Sequence, residues 1–231
     1  TPGGSGAGMV MEWQQPNGYL ITGGRSHSVA IWDVGVQRVC RKFKIPAHSG
    51  VTKISTISDD SNIIACGYAN GTMHLLDLRM QSPLVTSMKS HHNWVVDIHR
   101  QKQSKELLVS ASVDGEIKIW DVRSGYNKTG LLKNITLKRV PNDYAITAFA
   151  SHDYSPIFAS GSNKEEIRVF NDNEDQLCHI RYHDGFLGQR IGRVASLAFH
   201  QHKMYLAAGF TDNFVSIYTD RHKSKTGRHD K

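Results

Sequence analysis

A chain of 231 residues with 39% hydrophobic and 21% charged side chains has the make-up of a globular protein with a sizeable core. Nothing in it reaches the roughly 18 consecutive apolar residues of a membrane-spanning helix, so no membrane insertion is expected. The formal charge of +7 keeps an anionic partner in view, although five Lys or Arg and two Asp of that balance fall in 220–231, a stretch expected to be a basic, disordered tail.

The three cysteines, Cys40, Cys66 and Cys178, form no CxxC pair and no even-numbered framework. That pattern points to reduced thiols in the cytosol rather than a zinc cage or a disulfide scaffold. The chain opens Thr1-Pro2-Gly3-Gly4, without an initiator methionine or signal segment, and is expected to be a piece of a longer protein.

Along the chain one pattern recurs. The first unit holds a strand-like run at Met9–Trp13, then "YLITGG" (19–24) and "SVAIWDV" (Ser28–Val34). The second repeats it with Val51–Ile57, "IIACGY" (63–68) and "TMHLLDL" (Thr72–Leu78). The third has Val95–His99, "LLVSAS" (107–112) and "EIKIWDV" (Glu116–Val122). The fourth has Ile146–Ala150, "IFASGS" (157–162) and "EIRVFND" (Glu166–Asp172). The fifth has Val194–His200, "YLAAGF" (205–210) and "FVSIYTD" (Phe214–Asp220). Their marker positions, Trp32, Leu76, Trp120, Phe170 and Tyr218, lie 44, 44, 50 and 48 residues apart. Alternation of period two, β-branched residues and the turns Asn70-Gly71 and Asp114-Gly115 predict antiparallel strands, and no helical pattern competes.

Units of about 40–45 residues, four strands each, with Trp-Asp closing the third strand, are the signature of WD-repeat propeller blades. Trp32-Asp33 and Trp120-Asp121 carry the dipeptide and Leu76-Asp77 a variant of it. The expected class is all-β, a WD-repeat β-propeller with consecutive blades at about 6–46, 47–90, 91–137, 140–183 and 190–219. In the third unit His91, Ser112, Asp114 and Trp120 stand where such blades build an internal hydrogen-bonded network, a structural role shared by Trp32, Asp33 and Asp121. After Tyr218 no fourth strand remains for the fifth unit. Five consecutive blades of a larger, seven-bladed ring are therefore expected, with more propeller upstream.

The stretch "HDGFLGQRIGRVASLAFH" (His183–His200) has three glycines but matches neither GxGxxG nor GxxxxGK[ST], and it leads into a strand, so a phosphate cradle is not expected. In a propeller it connects two blades. Phe186 and Leu187 can tuck in as packing, while Phe186, Gln189, Arg190 and Arg193 are the candidate partner-binding residues, aromatic and arginine side chains being common interface anchors. The paired carboxylates Asp59-Asp60 and Glu165-Glu166 fall in inter-strand turns, where solvated charge is the expectation. His91-His92, His200-x-His202, His179 and His183 lack an evident third ligand, so no metal is expected. No nucleophile–base–orienter set and no cofactor fingerprint emerges, so neither an enzyme nor a cofactor is expected. Lys128, Lys133, Lys138 and Arg139 form a basic stretch with only Tyr126 to stack, and no nucleic acid is expected there.

Three segments resemble one family: "GAGMVMEW" (Gly6–Trp13), "HNWVVDIH" (His92–His99) and above all "YHDGFLGQRIGRVASLAFHQH" (Tyr182–His202). In order and spacing they are similar to the C-terminal WD-repeat domain of the Raptor family, the scaffold subunit of TOR complex 1. The resemblance covers essentially the whole chain. It implies a non-catalytic scaffold that works with TOR kinase and other TOR complex 1 subunits. It also implies docking to Rag GTPases, substrate presentation and the coupling of amino-acid supply to cell growth. The implied location is cytoplasmic, with recruitment to the lysosome or vacuole surface. No family functional residue is carried onto a numbered position. The connection Ser124–Asp143 and the tail beyond Tyr218 are longer than the family pattern. The alternative reading is a basic WD-repeat module that binds anionic ligands such as RNA or phosphoinositides.

Overall fold

The computed structural model describes residues 9–25, 27–44, 49–56, 62–102, 107–121, 131–136, 145–173, 175–182 and 189–219. Among them every regular element is a strand apart from one 3₁₀ turn, Gln15–Asn17. The first sheet is β1 (Val10–Gln14), β2 (Tyr19–Gly23), β3 (Ser28–Asp33) and β4 (Arg38–Lys44). The second is β5 (Val51–Thr56), β6 (Ile63–Tyr68), β7 (Thr72–Asp77) and β8 (Leu84–Lys89). The third is β9 (Val95–Gln101), β10 (Leu107–Ser112), β11 (Glu116–Asp121) and β12 (Leu131–Thr136). The fourth is β13 (Ile146–Ser151), β14 (Ile157–Ser162), β15 (Ile167–Asn171) and β16 (Gln176–Ile180). The last holds β17 (Val194–Phe199), β18 (Tyr205–Phe210) and β19 (Val215–Thr219).

Within each sheet the strands follow chain order and pair antiparallel. The first strands β1, β5, β9, β13 and β17 pack side by side in succession, which is the inner lining of a β-propeller. The middle strands β6, β10 and β14 are buried on both faces almost throughout, so they read as runs of small and apolar residues rather than as clean alternation. The outer strands β4 and β16 are largely exposed.

A left-handed residue ends each turn into the third strand: His27 (φ 51°), Gly71 (φ 82°), Gly115 (φ 89°), Glu165 (φ 60°) and Asn213 (φ 68°). Glycine fills that position freely, and Asn more readily than most side chains.

Contact between neighbouring sheets rests on one repeated approach. Near the end of the second strand stands a very small residue, and the β-branched residue that opens the next inner strand packs against it. A Cβ built on Gly23 would lie 3.1 Å from Val51 Cγ1, and one on Gly67 would lie 2.7 Å from Val95 Cγ1. On Gly161 it would overlap the Val194 side chain outright. Ala111 and Ile146 repeat the pairing between the third and fourth sheets, inside one core cluster.

Hydrogen bonds stitch the same seam. Val51 N donates to Gly24 O (3.1 Å), and Ile146 N to Val113 O (3.1 Å). The hydroxyls of Thr52 and Thr147 donate to the carbonyls of Val95 (2.7 Å) and Val194 (2.6 Å).

The two ends of the row differ from its middle. A Cβ on Gly209 would meet only Ser196 Oγ of its own sheet, so the slot that Val194 fills beside Gly161 is open there. Val215 and Ile217 of β19 are 75% and 69% exposed, and Met9 and Met11 at the other end are 73% and 55% exposed. Among the described residues no substantial packing joins β1 to β17.

Gly161→Ala is expected to destabilise the chain by about 1–3 kcal/mol through overpacking at the seam. Gly209→Ala is expected to cost less than half as much, because the Ser196 hydroxyl can rotate away. Urea midpoints of the two variants check the difference.

Candidate partner-binding site

The connector singled out in the sequence lies between the fourth and fifth sheets. His183 to Gly188, and with them Phe186 and Leu187, fall outside the described residues. Arg181 and Tyr182 continue the line of β16, and Tyr182 pairs with Arg190 in an isolated antiparallel bridge. Ile191 N donates to Arg181 O at 3.0 Å. Ile191 is 1% exposed and sits in the core cluster shared by these two sheets, together with Val194. This apolar anchor holds the connector down while Gln189, Arg190 and Arg193 stay exposed. The carbonyl of Arg193 accepts from Thr211 N at 2.9 Å. Gly192 is small of necessity: a Cβ there would lie 2.7 Å from the Asp212 carboxyl carbon.

Beneath this ladder lies the Glu165-Glu166 turn. Glu165 is exposed enough for solvation and reaches Arg190 at 3.3 Å. Glu166 corrects the expectation of a solvated pair, since only 3% of it is exposed. Arg168, two residues on and therefore on the same face of the strand, contacts one carboxylate oxygen at 2.8 and 2.9 Å. His179 (2.7 Å) and Arg181 (3.1 Å) contact the other from the adjoining strand. Burial opposes ionisation of Glu166, but hydrogen bonds from His179 and Arg181 and the charge of Arg168 outweigh it and hold the carboxyl below its usual range.

The predicted blade network is present around a different serine. Trp120 Nε1 donates to Ser110 Oγ at 2.8 Å, and His91 Nε2 lies 2.8 Å from the same oxygen. Ser112 instead donates to Asn93 O at 3.3 Å. Ser110 and Ser112 share one face of β10. The Trp120 backbone is registered with Leu108, and the indole reaches the nearer hydroxyl.

Trp32 repeats the geometry, donating to Thr22 Oγ1 at 3.0 Å, two residues beyond its registered partner Leu20. Asp33 caps the turn to the outer strand by accepting from Val36 N at 3.0 Å, and Asp77 does the same for Arg79 N at 2.9 Å. Asp114 accepts from Glu116 N at 3.1 Å. Asp121, half-buried, closes β11.

His91, Asp114 and Glu116 bring ligand-type atoms within 4.8 Å of one another. Lys118 Nζ stands 2.9 Å from Glu116 Oε2 and already supplies that cluster with a cation. Burial, followed by the charge of Lys118, pushes the His91 pKa down to about 4. A neutral ring that accepts the Ser110 hydroxyl proton fits this value.

A polar cleft of about 350 Å³ opens at the far ends of the inner strands, with Glu12, Thr56, His99, Lys102 and Asp153 in its wall. Its charges answer one another. Asp153 meets His99 at 3.0 Å and Lys102 at 2.9 Å. Burial raises the Asp153 carboxyl, but these hydrogen bonds outweigh it and bring the pKa to about 2. Burial raises Glu12, whose carboxylate accepts from Thr56. The cleft is lined by inter-sheet ion pairs and hydrogen bonds.

A row of antiparallel sheets packed through their inner strands, with aromatic–serine–histidine ties inside a sheet, defines a WD-repeat type of β-propeller. The family model described as "Nucleolar protein 10-like, N-terminal domain", a β-propeller model, matches residues 6–170, and the chain belongs to that family. Relatives matched over more than nine-tenths of the chain include proteins described as Raptor or as TOR complex 1 subunits. The chain is 36% identical to "Regulatory-associated protein of TOR 1" of Arabidopsis thaliana over 94% of its own length and 16% of the relative's. It is 28% identical to "Target of rapamycin complex 1 subunit mip1" of Schizosaccharomyces pombe over 92% of its length and 16% of the relative's. The crystal structure of Chaetomium thermophilum Raptor superposes with a TM-score of 0.79 at 27% identity, covering 93% of this chain and 20% of that one. The chain thus spans about one-sixth of the curated relatives.

Because folding holds the His91 pKa near 4 against an ordinary 6.5, the unfolded chain binds the extra proton first. Stability is full above about pH 6.5 and is lost as pH falls towards 4. Asp153, held near 2 against 3.8, adds a second loss below about pH 4. His91→Gln is expected to flatten the upper part of this profile and leave the lower part in place. Urea midpoints measured across pH 3–7 check it, and an unchanged upper slope contradicts it.

Proposed function

We propose that this chain is part of the C-terminal propeller of a Raptor-like subunit of TOR complex 1 and acts as a non-catalytic scaffold. The observation that carries the reading is the likeness to Raptor relatives along more than nine-tenths of the chain. A frame of rigid sheets suits that work, since buried seams fix the relative positions of surface connectors and leave binding to exposed loops. In this reading TOR kinase and other TOR complex 1 subunits are the stable partners, with Rag GTPases as a regulated one. Substrate presentation and the relay of amino-acid supply to growth belong to the whole complex. The protein is cytoplasmic and recruited to the lysosome or vacuole surface. The described sheets are consecutive blades of a larger ring, and the exposed faces of β1 and β19 are where the remaining blades pack. Gln189, Arg190 and Arg193 form a partner-facing connector, and Phe186, outside the described residues, remains a candidate for it by sequence.

Affinity capture from nutrient-fed cells, with the tag on the full-length protein, tests the reading. TOR kinase in near-stoichiometric recovery is the expected result. Reproducible capture without any TOR kinase contradicts it.

A further inference from the structure

The fourth sheet neutralises its buried carboxylate differently from the third. At the start of the third strand in both sheets the sequence places Glu, then a cation two residues on: Glu116 with Lys118, and Glu166 with Arg168. In the third sheet Lys118 is the charged partner, at 2.9 Å, and the nearby His91 is driven towards its neutral form. In the fourth sheet Arg168, only 11% exposed in its side chain, already provides the matching charge at 2.8 Å. Arg181 then brings a second guanidinium to the same carboxylate while its side chain stays 51% exposed. Across the Tyr182–Arg190 bridge, Arg190 is 60% exposed and touches Glu165. The ladder and its floor therefore hold three arginines against two glutamates, with His179 in addition.

Glu165 itself is an expensive choice. It occupies the left-handed turn position at φ 60°, which glycine takes in the second and third sheets, and a side chain there is strained. An ion pair as exposed as Arg190–Glu165 offsets little of that cost. Its effect is to tether the Arg190 guanidinium through its Nε. Guanidinium forks match carboxylates through two parallel hydrogen bonds. Tyr182, 60% exposed, lies between Arg181 and Arg190 in the chain, and Leu177 on the open outer edge of β16 is 53% exposed.

We propose that the Arg181–Tyr182–Arg190 ladder is a docking site for an acidic segment of a protein partner, with carboxylates on the exposed guanidinium edges that Glu166 and Glu165 do not take and an apolar side chain against Tyr182. Tyr182 and Leu177 expose apolar surface beside the cations, which an acidic peptide bearing an apolar side chain covers and the uniformly charged phosphates of a lipid surface or a nucleic-acid backbone do not. The inference deepens the reading of this connector as a partner face and rests on it.

The test uses the purified full-length protein and a fluorescent peptide that alternates glutamate with leucine, read by anisotropy. Saturable, salt-sensitive binding is expected, weakened about tenfold by Tyr182→Ala with Arg190→Ala. Arg190→Lys, which keeps the charge and loses the fork, is expected to fall between and guards against a folding artefact. Absent binding overturns the inference. So does binding that the variants leave unchanged, or a response to these variants seen only with phosphoinositide vesicles or an oligonucleotide. Peptide binding without capture of TOR kinase supports this site and overturns the Raptor-like function. Capture without peptide binding does the reverse.

Discussion

Neighbouring sheets come together only as closely as one position in each second strand allows. Gly23, Gly67, Ala111 and Gly161 remove or minimise the side chain there, so that Val51, Val95, Ile146 and Val194 can seat against the backbone. Once these are seated, the apolar faces of adjacent sheets merge into continuous clusters, and hydrophobic burial supplies most of the stabilisation. The threonine and amide bonds across the seam then meet carbonyls that would otherwise be buried unpaired. The ion pairs between inner strands, including Lys53–Asp97 at 2.9 Å, depend on the same approach. A larger side chain at one of these positions would separate the sheets and weaken each of these contacts together.

Interval and alternation made the architecture readable in advance. Residues with period-two patterning between turn signals became strands, while the expectation of no fourth run after Tyr218 falls on 220–231, outside the described residues. The network serine was less legible. Ser110 and Ser112 are equally placed by alternation, and only the length of an indole and the register of β11 on β10 decide between them.

Glu166 was the larger surprise. A carboxylate beside a turn is ordinarily solvated. Its burial depends on the pairing of β15 with β16, which brings His179 and Arg181, thirteen and fifteen residues on, to the carboxylate. A local signal did exist: the repeated Glu-x-Lys/Arg spacing in Glu116–Lys118 and Glu166–Arg168, which puts both charges on one strand face.

The same economy separates frame from surface. Polar groups that could do chemistry are consumed by the frame: His91 by Ser110, Asp153 by His99 and Lys102, Lys118 by Glu116 and the Ser90 carbonyl. What stays exposed and positioned is the connector between the fourth and fifth sheets, where a buried Ile191 fixes residues that face water. Binding at such a site needs little reordering of the backbone, which reduces the entropic cost of association. The arrangement suits a scaffold.

The central claim is that these sheets form one continuous stretch of a larger closed frame. A cryo-EM reconstruction of the full-length protein tests it directly. The expected result is a further sheet covering Val215 and Ile217, with a β-branched residue of its inner strand in the slot beside Gly209. Solvent over that face in the intact protein, with the slot open, would contradict it.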